Sequence, residues 1–445
     1  MAVPPAQAQE TATAQTNIPL LEPSTQLEED RDDTQLSSSL HRLETFLRLL
    51  GFCQYSVFSF SISWFLFLLL GITLPLLIIL LSYCSGCYKY EIKSFELEIL
   101  VSQFLVSAIS LFCISRNLRK YGIRKFLFVD RYHGHVEQFR GEYAKKIDDF
   151  FRLLAVWILP CFIVKAAREV TRVVYAYHDS WWRSVVMLTV LLVSWIYSTV
   201  IYLSGSGLFN LVCNLQVIHF ENYGKLLERD SDVSVYMEEH IRLTHYLSKI
   251  SHRFRIFLLL EFLVVTASQV VALLETTGNR GIINFINGGD FAVSGVISIV
   301  ELIGIIICLH AAAKISHRAQ GLASVASRWH ALVTCNSNDT SQSVLISNDD
   351  GGLEGAPLPV PMPISYSETD LEAVDYVPVP TNTQMASYMS SYHKRQAFVM
   401  YLQFNPGGAT VYGWKIDRAL ISTIFFIELS LVLFVLGKTI TFTTS

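Results

Sequence analysis

Three carboxylates, Glu261, Glu301 and Glu428, stand inside runs of apolar residues that hold almost no other charge. On insertion scales a charged side chain at the centre of a bilayer costs at least about 2.5–3.5 kcal/mol, so each of these groups needs a reason to be there. Glu301 and Glu428 fall near the middle of their runs, and Glu261 lies near one end of its own. Glu301 is either a functional intramembrane acid or a hydrogen-bonding partner for a neighbouring helix, and the same choice applies to Glu261. Glu428 has the most telling neighbours. Ile421, Ile424, Glu428, Leu431 and Val435 recur every three or four residues and so share one helix face. An apolar stripe with one carboxylate at mid-depth suits a cation path with hydrophobic constrictions, and it also suits plain burial.

A second concentration of charge, Lys165, Arg168 and Glu169, closes another apolar run. Either Lys165 and Arg168 snorkel to the membrane surface, or Arg168 and Arg172 pair locally with Glu169. Just beyond comes Tyr175-Ala-Tyr177-His178-Asp-Ser-Trp181-Trp182. Such rings ordinarily form the aromatic belt of a membrane interface. With Lys165 and Arg168, and with Glu275 and Asp290 on the same side, Tyr175, Tyr177, His178, Trp181 and Trp182 could equally line a vestibule for a small ligand.

Cys84-Ser-Gly-Cys87 has no second pair to complete a zinc site, and the other six of the eight cysteines are scattered. It is either structurally bland or closes a small oxidised loop. Asp130-Arg131-Tyr132 and Asn405-Pro406 spell fragments of receptor signatures. The first follows the second apolar run and the other precedes the last, so neither sits where its role requires. No phosphate-binding loop, zinc-protease helix, hydrolase elbow or dinucleotide fingerprint occurs. No enzymatic activity, cofactor, metal or nucleic-acid partner is expected.

Seven apolar segments must position these groups: about Val57–Tyr83, Ile99–Ser115, Leu153–Val170, Ser184–Leu215, Ile256–Leu274, Phe291–Ala313 and Ala419–Gly437. A bilayer core of roughly 30 Å needs about 20 helical residues, and these segments meet that length with modest tilt. The chain is 51% hydrophobic and 16% charged, which fits an integral multi-pass membrane protein rather than a soluble enzyme of 445 residues. Of its 34 basic residues, 25 fall on the side of the N-terminus, eight on the other, and Arg152 at a boundary. The positive-inside rule then puts the N-terminus in the cytoplasm and the C-terminus outside, the reverse of a G-protein-coupled receptor.

The outward connections are short and the inward ones long. Arg116–Asp149 and Leu215–Arg255 mix charge with apolar residues at helical spacing, the pattern of amphipathic helices that need a partner for their apolar faces. Nothing stops the fourth span at Gly205-Ser-Gly207, so it should continue into the cytosol. The expected fold class is therefore an all-α membrane protein: seven transmembrane helices, N-terminus cytoplasmic, C-terminus outside, with long cytoplasmic helix extensions. Residues 1–40 read as a disordered acidic tail, and 41–334 as helices one to six with their extensions. Residues 335–395, rich in Ser, Asn, Asp and Pro, read as a disordered cytoplasmic insert, and 396–445 as the last span with a short outer tail.

The segment Asn405-Pro-Gly-Gly-Ala-Thr-Val-Tyr-Gly-Trp414, followed by Lys415-Ile-Asp-Arg418 and Ile427-Glu-Leu-Ser-Leu431, resembles the C-terminal signature of a plant family of seven-helix membrane proteins. That family is in turn similar in topology to the insect gustatory and odorant receptors. Those are tetrameric ligand-gated cation channels whose last helix lines the pore and whose cytoplasmic helix extensions hold the subunits together. The resemblance implies a homotetrameric chemoreceptor channel with a small-molecule ligand and cations as its partners, besides the lipid bilayer. The tyrosine-and-QF signature that insect receptors carry within the last helix is missing; Gln403-Phe404 precedes it. A non-conducting receptor or scaffold signalling through the insert is the alternative.

Overall fold

The computed structural model describes residues 23–81, 90–128, 139–176, 181–227, 232–278, 285–341, 391–416 and 418–443. Their elements run α1 (Pro23–Leu49), α2 (Val57–Leu68), a π-helical turn (Leu69–Thr73), α3 (Leu74–Leu81), α4 (Tyr90–Leu127), α5 (Arg140–Ala176), α6 (Trp181–Leu226), α7 (Val233–Gly278), α8 (Phe285–Ser341), α9 (Ser391–Phe404), β1 (Thr410–Val411), β2 (Trp414–Lys415) and α10 (Arg418–Thr443). Among the described residues six helical stretches are long and apolar enough to cross a membrane: Val57–Ile78, Leu100–Leu127, Arg140–Ala167, Val185–Leu226, Val233–Val271 and Ile299–Cys335. The apolar part of α10, Ala419–Leu431, is shorter.

Helix α6 packs against α4, α5 and α8, and α10 lies on α7 and α8. Pro75 explains the π turn. It has no N–H to give, and the hydroxyl of Ser194 on α6 donates instead to the Leu70 carbonyl at 2.6 Å. The chain turns between α1 and α2 at Gly51, whose φ is +84° and whose carbonyl accepts from the Ser63 hydroxyl at 2.6 Å.

Two expectations about disorder need correction. Residues 23–40, taken with the acidic tail, are helical: Leu36, Leu40, Leu43 and Leu47 form a stripe that packs into the core, and α1 lies along α5. Of the residues taken with the insert, 335–341 belong to α8, which runs to Ser341, and 391–395 to α9, which starts at Ser391. Residues 342–390 lie outside the described ones, as do the Cys84–Cys87 pair and Asp130-Arg131-Tyr132.

The described parts of the two long connections, Arg116–Asp149 and Leu215–Arg255, are helical, as their periodicity requires. Helix α6 passes Gly205 and Gly207 without a break and ends at Leu226, and α7 resumes at Val233. Their apolar faces find partners within the chain itself. Leu227, Tyr236, Leu243 and Leu247 are all buried in the single core. Tyr236 meets Trp329 of α8 edge to face at 5.6 Å and Phe398 of α9 at 6.2 Å. The hydroxyl of Tyr223 donates to the Tyr236 carbonyl at 2.8 Å, which ties the end of α6 to the start of α7.

The Asn405–Trp414 signature is the device that joins α9 to α10. Gly407 and Gly408 take positive φ, and a two-stranded antiparallel hairpin follows, with Thr410 opposite Lys415 and Val411 opposite Trp414. Tyr412 and Gly413 at its tip have φ of 50° and 82°, the left-handed pair that a two-residue hairpin turn requires. The hairpin docks through its backbone: Ala409 N–H donates to Ser316 Oγ of α8 at 3.1 Å, and Thr410 N–H to Ser251 Oγ of α7 at 3.2 Å.

Candidate functional site in the helix bundle

The intramembrane carboxylates Glu261 and Glu301 are 1% and 2% exposed and face the interior where α4, α6, α7 and α8 meet. The Ser206 hydroxyl donates to Glu261 Oε1 at 2.9 Å, and Cys308 Sγ lies 3.4 Å from Oε2. Ser102 of α4 donates to Glu301 Oε1 and lies 2.8 Å from the Ser268 hydroxyl of α7. Tyr202 stands between the two acids and donates its hydroxyl to the Glu301 carbonyl at 2.7 Å. Gly304 makes room for it: a Cβ there would sit 2.1 Å from the Tyr202 oxygen.

Polar contacts continue along α4 and α6. Gln103 Nε2 donates to the Trp195 carbonyl and to Thr199 Oγ1, both at 3.2 Å; Ser107 donates to the Ser198 carbonyl at 2.9 Å, and Ser110 to the Ile201 carbonyl at 3.0 Å. Hydrogen bonds of this kind replace water for groups buried at membrane depth. Sequence reasoning singled out the acids and missed these serines and Tyr202. The signal was available: Trp195, Thr199, Tyr202 and Ser206 recur at helical spacing within a largely apolar run.

A cluster of aromatic and polar groups lies beside this ladder. Trp64, Phe67 and Phe104 pack ring to ring at 5.7 and 5.1 Å, next to Gln103 and Trp195. The indole nitrogens of Trp64 and Trp195, the hydroxyl of Tyr197 and the amide of Gln269 are buried with no hydrogen-bond partner among the described residues.

Of the candidate vestibule, Lys165 is 2.9 Å from Glu169, with side-chain exposures of 11% and 4%. It thus forms a largely buried i,i+4 pair instead of reaching outward. Trp182 is 76% exposed. Arg168 and Tyr175 belong to α5 and Trp181 to α6, but their side chains lie outside the described ones, and so do Tyr177 and His178 altogether. On the last helix, Ile421 and Ile424 are half-buried and pack on the core, and Leu431 is half-buried. Glu428 and Val435 lie on α10 with side chains outside the described ones. Leu420, Phe426, Ile427, Leu433 and Phe434 are exposed on the same helix. Among the described residues no group of His, Cys, Asp or Glu could hold a metal ion.

This is the architecture of a multi-pass helical membrane protein. The model of a family described as "Protein of unknown function (DUF3537)" matches residues 38–427, and the chain belongs to that family. A comparison with curated proteins finds no match. Among solved structures it is similar to the insect olfactory receptor OR5 from Machilis hrabei in complex with eugenol, with a TM-score of 0.53 at 12% identity over 91% of this chain and 99% of that one. A further structure of OR5 from Machilis hrabei gives a TM-score of 0.54 at 11% identity, over 90% and 98% of the two chains. At that identity the likeness is one of fold, and it extends over nearly the whole of both chains.

Proposed function

We propose that the protein is an oligomeric, ligand-gated cation channel of the gustatory and odorant receptor type, assembled as a homotetramer with α10 around the pore. The observation that carries this reading is the full-length agreement of fold with an insect olfactory receptor, reached at 12% identity. In this reading α10 is the seventh span, with the N-terminus in the cytoplasm and the C-terminus outside. Ile421, Ile424, Glu428, Leu431 and Val435 line the conduction path, with Ile421, Ile424 and Leu431 at its constrictions. Apolar side chains left exposed on the inner extensions, Val235, Leu332, Met400 and Phe404, supply contacts between subunits.

The ligand is a small, mainly apolar molecule with a hydrogen-bonding group. It enters past Lys165, Arg168, Tyr175, Tyr177, His178, Trp181 and Trp182 to the aromatic cluster of Trp64, Phe67 and Phe104, where the Trp64 indole offers an N–H.

Imaging the full chain in lipid nanodiscs, with current recording in planar bilayers, tests the reading. A fourfold particle with α10 on its axis and cation currents supports it. A monomer that passes no current overturns it and leaves the non-conducting scaffold. A tag after Ser445 should be accessible on intact cells, and tags at the N-terminus or after Ser341 should not. Glu428→Gln should alter cation selectivity or conductance while leaving yield unchanged, because it removes charge from the path and keeps the side chain's size.

A further inference from the structure

Between Glu98 and Asp130 the chain has no acidic residue, yet it places Arg116, Arg119, Lys120, Arg124 and Lys125 within ten positions at the end of the second span. All five are exposed, while Ile114, Leu118, Ile123, Phe126 and Leu127 are buried. Arg116, Arg119 and Lys120 share one face at i, i+3 and i+4. Gly122 then breaks α4 with φ 72° and ψ 159°, and so brings Arg124 and Lys125 round at a new angle. None of the five forms an ion pair with a carboxylate among the described residues.

A separate observation fixes the depth of this patch. The Arg119 guanidinium lies over the Phe60 ring, 6.0 Å from its centroid, one turn into α2. At the same end of α2, Val57 and Phe58 are 84% and 75% exposed, as apolar residues are where a span meets lipid. The neighbouring helix reinforces the patch: Arg253 of α7 stacks on Tyr121 at 4.1 Å and donates to the Lys125 carbonyl at 2.9 Å. The cations are therefore rooted at the level where α2 enters the apolar layer, and they stand beside exposed apolar side chains.

We propose that this surface, formed by the inner end of α4 and braced by α7, binds the anionic headgroups of phospholipids in the adjoining leaflet. A polybasic cluster immediately outside a span is drawn to an anionic membrane surface. The apolar rim of α2 seats the acyl chains while Arg116, Arg119, Lys120, Arg124 and Lys125 take the phosphates. The site rests on these helices crossing a membrane and does not depend on conduction.

The test uses the full chain in vesicles containing spin-labelled phosphatidylserine or phosphatidylcholine. The wild type should restrict the serine lipid with about tenfold higher apparent affinity. The preference should fade between about 0.1 M and about 1 M salt, as the screening length contracts from about 10 Å to about 3 Å. Replacing all five cations by Gln should reduce it to less than about twofold. A control carrying Arg42→Gln and Arg318→Gln should keep it, since those cations already face Asp148 at 3.4 Å and Glu221 at 3.1 Å. Because the fivefold change can disturb insertion, Arg119→Gln and Lys120→Gln are measured singly, each expected to lower the preference. Equal restriction of both lipids by the wild type overturns the proposal whatever the variants do, and this is also the result expected if an acidic cytosolic peptide were the true occupant. Full preference in a folded fivefold variant overturns it as well.

Discussion

The most apolar stretches of α5 and α8 are equally hydrophobic, yet little of the first and most of the second is buried inside the chain. Apolar content therefore says that a helix leaves water and says nothing of whether lipid or protein receives it. The side chains make the difference. Helix α5 presents Val156, Leu159, Ile163 and Val164, each more than half exposed. Helix α8 presents Gly304, Ala311, Ala312 and Ala319 with the polar Glu301 and Cys308 among them. Small residues let backbones approach, and polar groups find partners on neighbouring helices, so a helix of this composition settles at the centre.

The sharpest way to break this comparison is a pair of equal truncations. Ile305→Ala in α8, where the side chain is fully buried, should cost about 2–5 kcal/mol of stability. Ile163→Ala in α5, where it is 56% exposed, should cost less than about 0.5 kcal/mol. Denaturant titration in mixed micelles reads both, and equal losses would erase the distinction.

Within α8 itself, Gly304→Ala should destabilise by about 1–3 kcal/mol, because its Cβ would meet Tyr202. Gly321→Ala, with nothing within 4 Å, should be neutral or raise stability by up to about 1 kcal/mol through helix propensity. A thermal shift of the same size and sign for both would mean that α8 and α6 do not approach as closely as the Tyr202 contact requires. Tyr202→Phe removes one interhelical hydrogen bond and should lower stability by about 0.5–1.5 kcal/mol; an unchanged melting midpoint would argue against that bond.

The smallest effect concerns α9. Burial pushes the Tyr401 hydroxyl above its ordinary value of 10.0, so the folded chain holds this proton more tightly than the unfolded one. That contribution is complete below about pH 10 and is lost as pH rises further, when the unfolded side chain ionises first. Proteolysis near Phe404 should accelerate at alkaline pH, and Tyr401→Phe should remove part of that acceleration.

Sequence alone marked out six apolar spans, the continuation of α6 past Gly205 and Gly207, and the helical character of the connections on either side of them, because hydropathy and helical period are local properties. It also picked out Glu261 and Glu301, since an acid in an apolar run is anomalous wherever the run ends up. Its reading of residues 23–40 as disordered failed because acidic composition hid the stripe from Leu36 to Leu47, whose value depends on α5 lying alongside. Partner choice was equally out of reach. That the apolar faces of α6 and α7 close on α8 and α9 of the same chain follows from where helices cross. So does the central place of α8 over α5 at identical hydropathy: burial is decided by which surfaces fit together, and that belongs to the assembled bundle.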